Sequence, residues 1–143
     1  MTTGANAIVV PIDFEEASLK ALDLAKELAA QIGGEVVLVH VYQIPVYTYP
    51  GLEPTLVPSF HAEVTAAAKR AMAAISTQAG NLRAILREGE PATEILAAAE
   101  EAGARMIVMG THGRKGIAHF FLGSVAEKVV RKSPIPVMTV RAS

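Results

Sequence analysis

The sequence predicts an α/β fold, a parallel sheet covered by helices on both faces, and three observations carry that reading. Short runs rich in β-branched residues recur along the chain. Stretches with apolar residues at helical spacing separate them, and glycines or prolines mark the joins. Strands alternating with helices call for right-handed crossovers and one parallel sheet.

The first strand is Ile8-Val9-Val10-Pro11-Ile12, ending at Asp13. A helix follows from Glu15, with Leu19, Leu22, Ala25, Ala29 and Ile32 on one face and Gly33-Gly34 as its stop. Val36-Val37-Leu38-Val39-His40-Val41 is nearly continuous in apolar character, as a strand covered on both faces should be. Tyr42 to Ser59 is a long connection carrying Pro45, Pro50, Pro54 and Pro58 with Tyr42, Tyr47 and Tyr49. In a compact domain such a segment reads as a lid or partner contact, or as a plain solvated loop.

An alanine-rich helix is expected from Phe60 to Ala79, ending at Gly80-Asn81, and then a weaker strand, Leu82 to Leu86. Pro91 suits the first position of a third helix, which carries Ile95, Leu96 and Ala99 and stops before Gly103. Met106-Ile107-Val108-Met109 is the fourth strand. The last helix starts at Ser124 with Val125, Val129 and Val130 expected inward, and Val137-Met138-Thr139-Val140 is the fifth strand. Together these elements make a single-domain, five-stranded Rossmann-like sheet spanning residues 1–143.

Composition narrows the function. Of 143 residues, 51% are hydrophobic and 19% charged, so a sizeable core is expected. A net charge of −1 provides no basic face for nucleic acid. The absence of cysteine excludes disulfides and thiolate metal sites and suits the cytoplasm. Neither a basic-then-apolar leader nor an apolar run of the ~20 residues needed to span a bilayer is found, so no membrane role is expected.

In open α/β sheets, ligands sit beyond the carboxyl ends of the strands, where the strand order reverses. Two strand ends here are unlike ordinary turns. One is Pro11-Ile12-Asp13. The other is Met109-Gly110-Thr111-His112-Gly113-Arg114-Lys115-Gly116, followed by Gly123-Ser124-Val125-Ala126 at a helix start. Glycines allow close backbone approach to a ligand, and the amides of a helix N-terminus favour phosphate. Arg114 and Lys115 add positive charge, unless they are simply solvated.

Each candidate has a plainer alternative. Asp13 and Glu16 have capping-box spacing, so Asp13 either caps the first helix or meets a ligand. Ser124 and Glu127 share that spacing, and there a cap is compatible with phosphate contact. His40 reads as a hydrogen-bonded structural histidine, and His61 and His119 as surface residues. The four histidines lack metal-ligand spacing. The G-x4-G-K-[S/T], G-x-S-x-G and G-x-G-x-x-G motifs are all missing, and no catalytic residue is nominated.

Gly110, two residues, Gly113, nine residues, Gly123 and Ser124 match the G-x2-G-x9-G-[S/T] signature of the universal stress protein family. The chain resembles that family from Ile8-Val9-Val10-Pro11-Ile12-Asp13 through Val39-His40-Val41, Gly89-Glu90-Pro91 and Ile107 to Gly113, to Pro134-Ile135-Pro136-Val137. The resemblance implies strand order 3-2-1-4-5 and ATP binding, with AMP or ADP as alternatives and Mg2+ accompanying the phosphates. It places Asp13 near the ribose, Pro11 along base and sugar, and the Val41 backbone at the adenine. The segments Gly110 to Gly116 and Ser124 to Ala126 would wrap the phosphates. It further implies a cytoplasmic stress-response regulator that forms a homodimer through the edge strand Val137 to Arg141. Two rivals stand beside it: a slow ATP hydrolase using Asp13 and His112 to position water, and a nucleotide-free interaction module.

Overall fold

The computed structural model describes residues 6–43, 57–111 and 122–142. In chain order the elements are β1 (Ala7–Pro11), α1 (Glu16–Ile32), β2 (Glu35–Tyr42), α2 (Val57–Gln78), β3 (Arg83–Glu88), α3 (Pro91–Glu101), β4 (Ala104–Gly110), α4 (Ser124–Lys132) and β5 (Val137–Val140). The strands form one sheet of order β3-β2-β1-β4-β5, and every neighbouring pair is parallel. The order reverses between β1 and β4, which fixes the switch point.

Alternation along the central strands divides the core in two. Ala7, Val9, Val37, Val39, Ile107 and Met109 face α3 and α4, where Ile95, Ala98, Ala126 and Val129 meet them. Ile8, Val10, Val36, Leu38 and Val108 face α1 and α2, against Ala21, Leu22, Ala25 and Met72. Most of the largest fully buried side chains belong to β1, β2 and β4. At about 1.5–3 kcal/mol for each such side chain, the sheet centre dominates the apolar stabilisation.

The helix faces differ from those read in the sequence. On α1 the buried positions are Ala17, Ser18, Ala21, Leu22, Ala25 and Ala29, whereas Leu19 and Ile32 are exposed. On α4, Ala126 and Val129 face inward and Val130 is exposed. On α1, Ala17, Ala21, Ala25 and Ala29 let the helix sit close to the sheet, and on α4 the turn of about 100° per residue carries Val130 off the face that Val129 occupies. The second helix also starts before Phe60, because Pro58 is tolerated in a first helical turn. Tyr42 closes β2, so both ends of the expected Tyr42–Ser59 loop are regular structure, and residues 44–56 lie outside the described residues.

Gly110 shows how tightly α1 seats. A Cβ built there would lie 2.8 Å from Ala17 Cβ, 2.9 Å from the Ala17 carbonyl carbon and 2.9 Å from the Ser18 nitrogen. Two of those atoms are backbone, so no side-chain rotation relieves the clash. Gly110→Ala is expected to destabilise the fold by about 1–3 kcal/mol in denaturant unfolding, the usual cost of overpacking. Unchanged stability would mean that α1 can retreat freely.

Candidate functional site

β1 leaves the sheet first. Pro11 pairs with Val39, while β2 continues to Tyr42 and β4 to Gly110. The space beyond its end is a pocket of about 390 Å³, within the roughly 300–1,000 Å³ common for small-molecule sites. Pro11, Ile12 and Asp13 line one side and Met109, Gly110 and Thr111 the other. Val41 and the first residues of α4, from Gly123 to Ala126, complete the set expected from sequence. His112, Gly113, Arg114, Lys115 and Gly116 lie outside the described residues.

The start of α4 is held in place by main-chain bonds. Thr111 N–H donates to the Val140 carbonyl at 2.9 Å, and Gly123 N–H donates to the Thr111 carbonyl at 2.7 Å. Gly123 is the N-cap, and no side chain caps the helix. Ser124 is therefore the first helical residue, and the expected Ser124–Glu127 capping box does not form. The amides of Ser124, Val125 and Ala126 come before the first intrahelical bond, Glu127 N–H to Gly123 carbonyl. Among the described residues they find no acceptor. Beside them the buried Thr111 Oγ1 has no hydrogen-bond partner among the described residues.

The Asp13 turn is built differently from the expected cap. α1 begins at Glu16, and its N-cap, Glu15, makes no side-chain cap bond. Asp13 Oδ1 accepts from Glu15 N–H at 2.9 Å, a span too short for a capping box. Ser18 Oγ accepts from Asp13 N–H at 3.3 Å and donates to the Glu15 carbonyl at 3.0 Å. Phe14 follows at φ 66°, in the left-handed region, which is uncommon for a bulky residue.

Five further residues line the pocket that the sequence reading did not assign to it: Ser18, Val39, His40, Pro91 and Ile95. His40 is hydrogen-bonded, as expected, with Nδ1 2.7 Å from the Ile12 carbonyl oxygen. Pro91 and Ile95 enter because α3 starts beside the ends of β1 and β2. The register could have revealed Val39 and His40, whereas Ser18 becomes visible only once α1 is placed.

Residues 5–141 match the family model for the universal stress protein family. The chain belongs to the universal stress protein family. A universal stress protein of Thermus aquaticus is 37% identical over 135 residues, covering 94% of this chain and 97% of the relative. The solved structure of the protein MJ0577, whose sequence comes from Methanocaldococcus jannaschii, superposes with a TM-score of 0.80 at 30% identity and covers 96% of each chain. Another universal stress protein, solved in complex with cAMP, has a TM-score of 0.62 at 26% identity and covers 96% of this chain and 98% of its own. The pocket at this chain's switch point therefore belongs to a family with a nucleotide-bound member.

One carboxylate, next in sequence to the pocket-lining Pro91, is strongly perturbed. Glu90 caps α3, accepting from Thr93 Oγ1 at 2.7 Å and from Thr93 N–H at 2.8 Å. The hydroxyl bond above all, then the amide bond, lowers its pKa from 4.5 to about 2, with Lys128 contributing from 3.6 Å. A depressed carboxylate pKa stabilises the fold above its unfolded value, and that contribution is lost as the pH falls from about 4.5 toward 2. Replacing Glu90 by Gln is expected to flatten the stability curve in that window. An unchanged slope in acid unfolding would contradict the cap.

Proposed function

We propose that this pocket binds ATP, so that the chain acts as a cytoplasmic, nucleotide-dependent regulatory module of the universal stress type. One observation carries the reading: the unpartnered Thr111 hydroxyl beside three open amides of α4. An apolar ligand would leave these four donors unsatisfied, whereas phosphate oxygens accept from all of them. Bonds to charged acceptors contribute roughly 1.5–3 kcal/mol each, so four of them, less ordering costs, suffice for micromolar affinity near 8 kcal/mol.

The remaining parts of ATP have matching groups. Main-chain groups of alternate residues on a strand face the same neighbour. Ile12 N–H donates to Val39, so Val41 N–H and carbonyl also point toward β1, which by then has ended. A free N–H beside a free carbonyl matches the acceptor and donor on the pairing edge of adenine. Asp13 Oδ2 suits the ribose hydroxyls, and Pro11, Ile12 and Met109 supply apolar wall. The related structure with cAMP supports an adenine nucleotide as the ligand class. AMP and ADP would share the site. Mg2+ would arrive with the phosphates, since the described residues hold no cluster of His, Asp or Glu suited to a metal. No described side chain is given a catalytic role.

Titration calorimetry is expected to register micromolar ATP binding by the wild type. Thr111→Val should weaken it roughly tenfold, yet leave the ligand-free protein equally stable or up to about 1 kcal/mol more so, because a buried orphan hydroxyl is removed. Absence of ATP binding, or full affinity in that variant, would overturn the phosphate assignment.

The homodimer belongs to the same proposal. β5 pairs with β4 on one side and forms the sheet edge on the other, with Met138 exposed. Met138→Lys is expected to halve the mass found by sedimentation equilibrium. Equal masses for parent and variant would rule out this edge as the contact.

A further inference from the structure

We infer that His40 is a positioning residue, holding the turn after β1 in the conformation that presents Asp13 to the ligand and keeps the Val41 main chain open. The inference rests on the nucleotide reading of the pocket. A carbonyl oxygen can only accept, so His40 Nδ1, 2.7 Å from the Ile12 oxygen, carries the proton. In an unbroken parallel ladder that oxygen would accept instead from Val41 N–H, one rung beyond Ile12 N–H to Val39. His40 takes the place of that rung. It satisfies the Ile12 carbonyl from the side, and Val41 is left with nothing opposite it.

The same imidazole lies against the strained residue, while the bond from Nδ1 to the Ile12 carbonyl does the holding. Its ring centre lies 4.8 Å from that of Phe14, with the planes tilted at 60°. Phe14 is left-handed at φ 66°, and such a conformation persists only where its surroundings hold it. Ser18 fastens the Asp13 turn to its own helix, and the side chain of His40 fastens it to β2. Asp13 lies between the two clamped residues, Ile12 and Phe14. Its carboxylate position therefore depends on His40, although the structure records no bond between the two.

The test uses the full chain with ATP and with 2′,3′-dideoxy-ATP, which lacks the hydroxyls proposed for Asp13. Wild type is expected to prefer ATP roughly tenfold, the value of about one hydrogen bond to a charged group. In His40→Leu that preference should vanish. In His40→Asn, whose side-chain amide can donate to the Ile12 carbonyl, it should return. A preference retained in His40→Leu overturns the inference, and so does loss without recovery in His40→Asn.

Hydrogen exchange at the Glu15 amide, which donates to Asp13, reads the turn without any nucleotide. Faster exchange in His40→Leu with recovery in His40→Asn supports the positioning role, and equal rates in all three proteins overturn it. If wild type binds neither nucleotide, the ATP reading fails by itself, and the exchange rates still decide the role of His40.

Discussion

β1 leaves the sheet at Pro11 while both neighbours run on, and the space it vacates, edged by the unpaired Val41 main chain and by the start of α4, is the pocket. In a parallel ladder each strand satisfies the main chain of the next. Where β1 stops, Val41 is left facing open space, Asp13 turns away on a strained loop, and the Thr111 carbonyl after β4 holds the Gly123 amide at the start of α4. Unpaired backbone groups in an interior are costly and therefore rare. Their collection at one switch point, beside an orphaned hydroxyl, is what the proposed nucleotide would satisfy.

The rest of the architecture supports that interruption. Apolar residues of β1, β2 and β4 bury fully on both faces and form the centre of the core. Alanines on α1 and α4 let the helices approach closely, and Gly110 is small because α1 presses on it. This gives Gly110 a different physical reason from the one its place in a glycine-rich turn suggests. Its missing side chain makes room for a helix, and the pocket inherits the resulting geometry.

How far the sequence disclosed this varied with the kind of interaction. Strands β1, β2 and β4 were legible because doubly covered strands are almost uninterrupted in apolar residues, and β5, although half-buried at the edge, was legible from its run of Val137, Met138, Thr139 and Val140. The expected strand order agrees with the observed one, and the strand ends read as unusual do meet at one pocket. Helix faces were partly legible: Leu22, Ala25, Ala29 and Val129 are buried as expected, whereas Leu19, Ile32 and Val130 are exposed. Both capping boxes failed because correct spacing does not set where a helix begins. Asp13 spends one oxygen on Glu15, and Gly123 rather than Ser124 is the cap of α4. His40 read as structural from its place in a strand. Its position at the pocket wall depends on where β1 ends, which the local pattern does not encode.

The most direct test of the central claim is a two-dimensional amide NMR titration of the full chain with ATP. The account predicts the largest shifts at the amides of Ser124, Val125, Ala126 and Val41, with Thr111 beside them, while the amides of α2 stay nearly still. Shifts confined to other surfaces, or no shifts at millimolar ATP, would contradict it.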